Sequence, residues 1–385
     1  MGPHAQRAAR ERIAALAADG LDLPTFWHES TDVLMRVVPH YMSPCWYTLD
    51  PASLLVTSHF QAELAEMPSE WFALEYYEDD VHTMAGVARS ERGVSTLHEA
   101  SGGDPSRSAR WHANMEMGGD QELLVALRTG GGHAWGMLGL YREPGDRQFD
   151  RDELEFVRAV SPHLAEGARR GLLVGEASDP EGPDAPGLIV LNDDWTVASL
   201  TPGVEQWLAQ MPGGDWERGR LPPAVLAVAG RALRTAEQPD APGEVAVARI
   251  LSSEGRWMVL HGASMVADGA RRVAVIVEAA QAARITPLLM AAYGLTDREQ
   301  DVTRLVLCGD STTQIAAGLC VSAHTVQQHL KSVFEKTGVR SRRELVGKVF
   351  FAHYEPRVRD NERRVIDGRP LRGGPSAAAE PPPAG

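Results

Sequence analysis

The sequence predicts a multidomain α+β chain that closes on an all-α unit of four short helices. Three observations predict it. Between 295 and 350 apolar residues recur at helical spacing behind regularly placed capping residues. Upstream, two stretches each mix helical patterns with short β-rich runs. A Pro/Gly-rich segment at 175–187 parts those two stretches. The expected division is a first α+β domain at 1–174, a linker at 175–187, a second α+β domain at 188–278, a connecting helix at 279–294, the helical unit at 295–350, and a basic, then disordered, tail at 351–385.

In the first domain, residues 6–38 read as helices, with Ile13, Leu16 and Ala17 on one stripe and Val33, Leu34, Val37 and Val38 on another. The period then changes. Cys45–Leu49 and Leu54–His59 read as strands joined by the turn signal Asp50-Pro51, and Glu122–Leu127 and Ala134–Tyr141 flank a Gly-rich hairpin turn at 129–132. A helix over 150–173 closes the unit. Its Val157, Val160, Leu164, Ala168 and Gly171 follow the spacing of a helix–helix seam, which suits packing on its own sheet as well as a dimer contact. Pro162 should kink it. This order resembles a GAF domain. Trp46, Tyr47, Trp71, Phe72, Tyr76, Tyr77, Trp111, Met115, Met117, Trp135 and Met137 are expected to form core and rim, and His82, His98, His112 and His133 show no paired metal spacing.

The second domain opens with Leu188–Leu191 and Val197–Leu200, continues through helical stretches at 202–210 and 222–235, and ends in strands at 245–251, 256–261 and 272–277. Two strands, helices, three strands is an order that resembles a PAS domain. Trp195, Trp207, Trp216 and Trp257 are expected in its core. A helix over 279–294 then leads into the helical unit.

That unit is the most informative part of the chain. Thr296 stands three residues before Glu299, Ser311 before Gln314 and Ser341 before Glu344, so three helices should open with a capping box; Ser322 caps the remaining one alone. On the helix from Ala323 to Lys336, Val326, Leu330, Val333 and Phe334 share one side. His324, Gln327, Gln328, Lys331 and Glu335 share the other. A helix that buries one face and offers amide and ammonium donors on the other suits a major groove, where Gln pairs with adenine and Lys with guanine or phosphate. The short connection from Leu319 to Ser322 is that of a helix-turn-helix.

The runs LTDREQDV at 295–302, TTQIAAGLCVSAHTVQQHL at 312–330 and KTGVRSRREL at 336–345 resemble the DNA-binding domain of LuxR/GerE-type transcription regulators. The resemblance implies that Gln327, Gln328 and Lys331 face bases and that Ser322, Thr325, Lys336 and Arg342 lie along the DNA backbone, with His324 on the same surface. Two positions depart from the family pattern. Cys320 stands where Gly is usual, at a turn where positive φ would cost a residue with a Cβ about 1–2 kcal/mol. Gln327 stands where Lys or Arg is frequent. Cys320 itself is expected to fill core, and His329 to be a core histidine.

Charge supports the same reading. The net charge is −14, but residues 295–350 hold eight Lys and Arg against six acids and 351–385 hold six against five, leaving −17 on the first 294 residues. Such an acidic remainder repels DNA and leaves the C-terminal face attractive. Three scattered cysteines, Cys45, Cys308 and Cys320, suggest a reducing compartment and no zinc. No secretory or membrane-spanning stretch is evident, so a cytoplasmic location is expected.

These readings converge on a DNA-binding transcription regulator. One recognition helix with three base contacts of about 1–3 kcal/mol each falls short of singling out a genomic site, so a homodimer on a two-fold operator is expected. The resemblance allows for a small-molecule effector in the sensor modules and a contact with RNA polymerase. No cofactor, metal or catalytic residue is expected, since there is no Walker, Rossmann or Gly-x-Ser-x-Gly motif. A sigma-like factor or a non-enzymatic sensor scaffold remains the alternative. A sigma factor would need a basic, aromatic melting segment where this chain is acidic. A response regulator would need a phospho-acceptor domain that residues 1–170 do not spell out.

Overall fold

The computed structural model describes residues 3–61, 68–172, 183, 185–238, 245–253, 255–267, 269–280, 282–353 and 364–366. They form two compact units. The first comprises Met1–Gly175, Pro186–Ser253 and Met258–Glu278; the second comprises Glu176–Ala185, Glu254–Trp257 and Ala279–Gly385.

The first unit begins with α1 (Pro3–Ala18) and α2 (Leu23–Met35), the latter capped by Asp22 accepting from the Thr25 N–H. Strands β1 (Cys45–Leu49) and β2 (Val56–Phe60) follow, then α3 (Ser69–Tyr76), α4 (Met84–Arg89), β3 (Val94–Thr96), α5 (Leu97–Ala100), α6 (Ala109–Glu116), β4 (Gln121–Arg128), β5 (Ala134–Arg142) and α7 (Arg151–Gly171). Thr83, Thr96 and Ser108 cap α4, α5 and α6. Asp150 and Glu153 close a full capping box on α7, which continues through Pro162.

The five strands form an antiparallel sheet in the order β2-β1-β5-β4-β3. Helices α1, α2 and α7 cover one face, around Ile13, Phe26, Trp46, Leu138, Val157 and Leu164. Each such fully buried aliphatic side chain contributes about 1.5–3 kcal/mol. Approach is close enough that a Cβ on Gly167 would come within 2.0 Å of the Phe26 ring. The α7 stripe is therefore occupied within its own unit, against α1, α2 and β4, and that face is not open to a second copy.

A second antiparallel sheet follows, built from β6 (Gly187–Asn192), β7 (Val197–Leu200), β8 (Val247–Leu251), β9 (Trp257–Ala267) and β10 (Ala270–Ala279), with α8 (Val204–Leu208) and α9 (Pro223–Glu237) inserted after β7. Its order, β7-β6-β10-β9-β8, repeats the pattern of the first sheet strand for strand. Of the four tryptophans expected in its core only Trp207 is buried; Trp195, Trp216 and Trp257 are half-buried.

The two sheets share α9. Every residue from Pro223 to Leu233 is buried, because the helix packs on β8 as well as on α3 and β2 of the first sheet. Asp50 and Arg249 reinforce the junction. The Asp50 carboxylate has 0% exposure and accepts from the Arg249 backbone N–H (2.8 Å), Nε (2.9 Å) and Nη2 (2.7 Å), and from the Ala52 N–H (2.9 Å). The turn signal read at Asp50-Pro51 thus carries a buried ion pair across 199 residues of sequence.

The second unit contains α10 (Ala282–Ala292), α11 (Asp297–Leu307), α12 (Thr312–Gly318), α13 (Ala323–Thr337) and α14 (Arg342–His353). Most of the expected linker (175–182 and 184) lies outside the described residues, as do Arg357, Arg359, Arg363 and the end expected to be disordered. Arg364, in the basic tail, is only 4% exposed.

Candidate nucleic-acid interface

The helical unit is organised by its caps. Thr296 and Glu299 close a reciprocal box at the start of α11, and Ser311 and Gln314 do so on α12. Ser322 accepts from the Thr325 N–H at 3.0 Å and starts α13; Gly338, at φ +68°, ends it. The box expected at Ser341 forms only in part. Ser341 accepts from the Glu344 N–H, but the Glu344 carboxylate reaches the Arg340 N–H instead of that of Ser341. Val302, Val306, Ile315, Val326, Leu330, Val333 and Leu345 form the core, with Met290 of α10 joining it and Phe334 partly buried at its edge.

This core fixes which side of α13 faces out. His324, Gln327, Gln328, Lys331 and Glu335 are exposed and Thr325 is half-buried. Gln327 Nε2 donates to Thr312 Oγ1 at 3.3 Å, Gln328 Nε2 lies 3.1 Å from His324 Nε2, and Ser322 and Thr325 share a hydroxyl contact at 2.8 Å. Lys331 has no partner among the described residues. The expected site residues Ser322, His324, Thr325, Gln327, Gln328 and Lys331 thus gather on one exposed strip.

Lys336 and Arg342 are engaged differently. Lys336 Nζ donates to Glu299 Oε2 at 2.6 Å, and Ser332 Oγ donates to Glu299 Oε1 at 2.6 Å. Burial alone would raise the Glu299 carboxyl, but the bonds from Lys336, Ser332 and the Thr296 N–H outweigh it and hold the group below the usual carboxylate range. Arg342 is half-buried and donates to the Asp310 carbonyl and to Thr312 Oγ1. Both cations brace α13 and α14 within the domain. Sequence reasoning missed the part played by Glu299, which was read only as a capping partner, because Ser332 and Lys336 lie on another helix.

One cysteine differs from expectation. Cys320 does adopt the positive φ, +54°, but it is exposed and fills no core; Cys308 is exposed as well. In the connection, the Val321 N–H bonds the Ala316 carbonyl, and the Cys320 thiol donates to the Ala317 carbonyl at 3.9 Å. His329 is half-buried.

A second group of functional character lies under the other face of the first sheet. Arg110 of α6, 0% exposed, donates to Glu75 of α3 at 2.7 Å and to both oxygens of Glu122 of β4 at 2.7 and 3.0 Å, and its guanidinium sits 4.6 Å from the Trp71 ring centroid. His82 and Tyr141 complete the contacts of Glu122. Burial opposes the charge on Glu122, yet Arg110 and His82 prevail and hold it at about 2, whereas burial dominates at Glu75 and raises it; burial also pushes the neighbouring Cys45 thiol up to about 12. No sequence signal marked this cluster, since its members come from five elements without common spacing. Among the described residues no group of three or more His, Cys, Asp and Glu is arranged to hold a metal ion, and no helix is long and apolar enough to cross a membrane.

Comparison with known proteins agrees with the geometry. Residues 294–349 match the family described as bacterial regulatory proteins, luxR family, and residues 31–167 match the GAF domain. Over 60 residues the chain is 40% identical to an HTH-type transcriptional regulator, MalT, of Serratia proteamaculans (strain 568), a match that spans 16% of this chain and 7% of that protein. Among solved structures, a phycoerythrobilin-bound GAF domain from a cyanobacterial phytochrome is 18% identical over 44% of this chain and 96% of its own, at a TM-score of 0.32. A bacteriophytochrome from R. palustris is 14% identical over 72% of this chain and 62% of its own, at 0.27. By its matched segments and the caps and core that shape them, the chain carries a GAF domain at 31–167 and a luxR-family helix-turn-helix domain at 294–349.

Proposed function

We propose that the protein is a DNA-binding transcription regulator that reads a two-fold operator as a homodimer through α13, its activity set by the N-terminal unit. The observation that carries this reading is the division of α13 into a buried Val326-Leu330-Val333 face and an exposed strip of His324, Gln327, Gln328 and Lys331, inside a segment that matches the luxR family. Gln327 and Gln328 suit adenine edges; Lys331 suits guanine or phosphate. Ser322 and Thr325 at the helix N-terminus lie where a DNA phosphate is favoured. Lys336 and Arg342 approach the backbone only by sharing bonds now made to Glu299, Asp310 and Thr312.

The same reading places the protein in the cytoplasm, gives it no catalytic role, leaves room for a small-molecule effector and an RNA polymerase contact, and treats the second sheet as a PAS-like module. The test is selection of bound duplexes from a random pool with the full chain. Recovery of an inverted repeat, bound with a 2:1 stoichiometry, is the expected outcome. Enrichment of no sequence, or of an asymmetric site bound by one chain, would defeat it.

A further inference from the structure

The cluster beneath the first sheet poses a problem of charge. Glu75, Arg110 and Glu122 are each 0% exposed in their side chains, and His82 is 1% exposed. With a neutral imidazole these four groups would bury one net negative charge, which is costly without a counter-charge. One additional proton makes the set neutral. It has two candidate positions, the Glu75 carboxyl or the His82 ring.

Hydrogen-bond direction separates them. His82 Nδ1 lies 3.0 Å from Glu122 Oε2, and Nε2 lies 3.2 Å from the Ser95 carbonyl oxygen. Both partners only accept. A neutral imidazole has one N–H and one bare nitrogen, so it would press a lone pair against one of those oxygens. Glu75 is in the opposite situation. Its oxygens face the Met84 N–H at 3.0 Å, the Ala85 N–H at 3.3 Å and Arg110 Nη1 at 2.7 Å, which are all donors. A proton on Glu75 would meet no acceptor. Burial raises the Glu75 carboxyl, which by itself would favour that site, but the directions of the bonds oppose it.

We propose that His82 carries hydrogen on both ring nitrogens in the folded protein and that this imidazolium is a proton-operated latch holding the covering helices to the first sheet. The ring is placed to do this. It sits on the α3–α4 connection, its backbone N–H donates to Asp80 Oδ1, and Asp80 also accepts from Ser108 at the start of α6. The ring meets Glu122 from β4 and Ser95 from β3; Glu122 in turn binds Arg110 from α6 and Tyr141 from β5, Arg110 binds Glu75 from α3, and Cys45 and Tyr47 of β1 complete the cluster. Glu75, in turn, binds the first two N–H groups of α4. Loss of the proton leaves a lone pair against an oxygen and unbalances the charge that joins α3, α4 and α6 to the strands.

The linkage follows directly. With both ring hydrogens retained in the fold, the folded unit holds one proton more than an unfolded chain whose imidazole is neutral. Its folding equilibrium constant should then fall by up to about tenfold per pH unit above pH 7. In His82→Gln the ring that carries this proton is gone, and this dependence should be lost. The full chain and His82→Gln are unfolded with urea between pH 6.5 and 9. A steeper fall in the parent supports the latch, and equal or absent pH dependence overturns it. In parallel, 15N-histidine spectra of the full chain at pH 7.5, with the His82 signals identified by their loss in His82→Gln, report whether each ring nitrogen bears hydrogen. Two N–H groups are expected; one bare nitrogen sinks the proposal. If His82→Gln does not fold, the His82 ring signals of the full chain are assigned through bonds instead, and the same count of ring N–H groups decides.

Discussion

Replacing Asp50 by Ala probes whether the two sheets of the first unit form one cooperative body. The side chain is fully buried and accepts four hydrogen bonds, three of them from Arg249. Removing it strands a guanidinium that retains 18% exposure. Breaking a buried pair costs about 3–5 kcal/mol, and the partial access of Arg249 to water places this one near the lower end, about 3 kcal/mol. For a unit of this size that corresponds to a fall of about 6–12 °C in Tm. Scanning calorimetry of the full chain, supported by urea midpoints at unchanged m-value, measures it. The control is Arg92→Ala, which breaks a pair exposed by 45% and 53% and should cost under about 1 kcal/mol. Asp50→Asn, which keeps an acceptor, should fall between. If Asp50→Ala costs no more than Arg92→Ala, the junction does not hold the sheets together and α9 must do so alone.

Other outcomes follow from the helical unit. Lys331→Ala should weaken operator binding and lower the slope of log K against log salt by up to about one unit; unchanged affinity in fluorescence anisotropy would remove Lys331 from the interface. Cys320→Gly should stabilise the domain by about 1 kcal/mol by relieving the Cβ at φ +54°, read as a higher urea midpoint, and a loss of stability would show that the side chain contributes packing. Glu299→Gln should destabilise the domain by about 1–3 kcal/mol, since it weakens contacts to Thr296, Ser332 and Lys336 at once. The folded Glu299 carboxyl lies below its unfolded value, so its contribution is present above about pH 4.3 and lost as pH falls through the folded value. Glu299→Gln should accordingly flatten the stability profile between about pH 5 and 3, whereas an unaltered acid limb would show that this carboxylate is not coupled to folding.

Local chemistry made much of the fold readable in the sequence. Thr296, Ser311, Ser322 and Asp150 start helices because a side-chain oxygen opposite an unpaired N–H acts within four residues. The exposed strip of α13 followed from period alone. Val94–Thr96 did not, because three residues give no alternation to detect. The last two strands run to Ala267 and from Ala270, through Gly, Ala and Ser residues of low β-propensity that did not mark them as strand. Long-range pairs were out of reach: nothing near Asp50 announces Arg249, and nothing near Arg110 announces Glu75. The same holds for Lys336, whose charge suggested a phosphate while Glu299, thirty-seven residues earlier, already occupies it.

All three lysines of the 385 residues, Lys331, Lys336 and Lys348, lie within the luxR-type domain. Lys336 is bound to Glu299 and Lys348 to the Thr337 carbonyl, which leaves the ammonium of Lys331 the least encumbered of the three. Among its lysines, amine-directed reagents should therefore label Lys331 on α13 first. Attachment through amines would modify the proposed contact, and the exposed thiols, Cys308 and Cys320, lie in the same domain, so carboxylates of the acidic first 294 residues are the sounder handle.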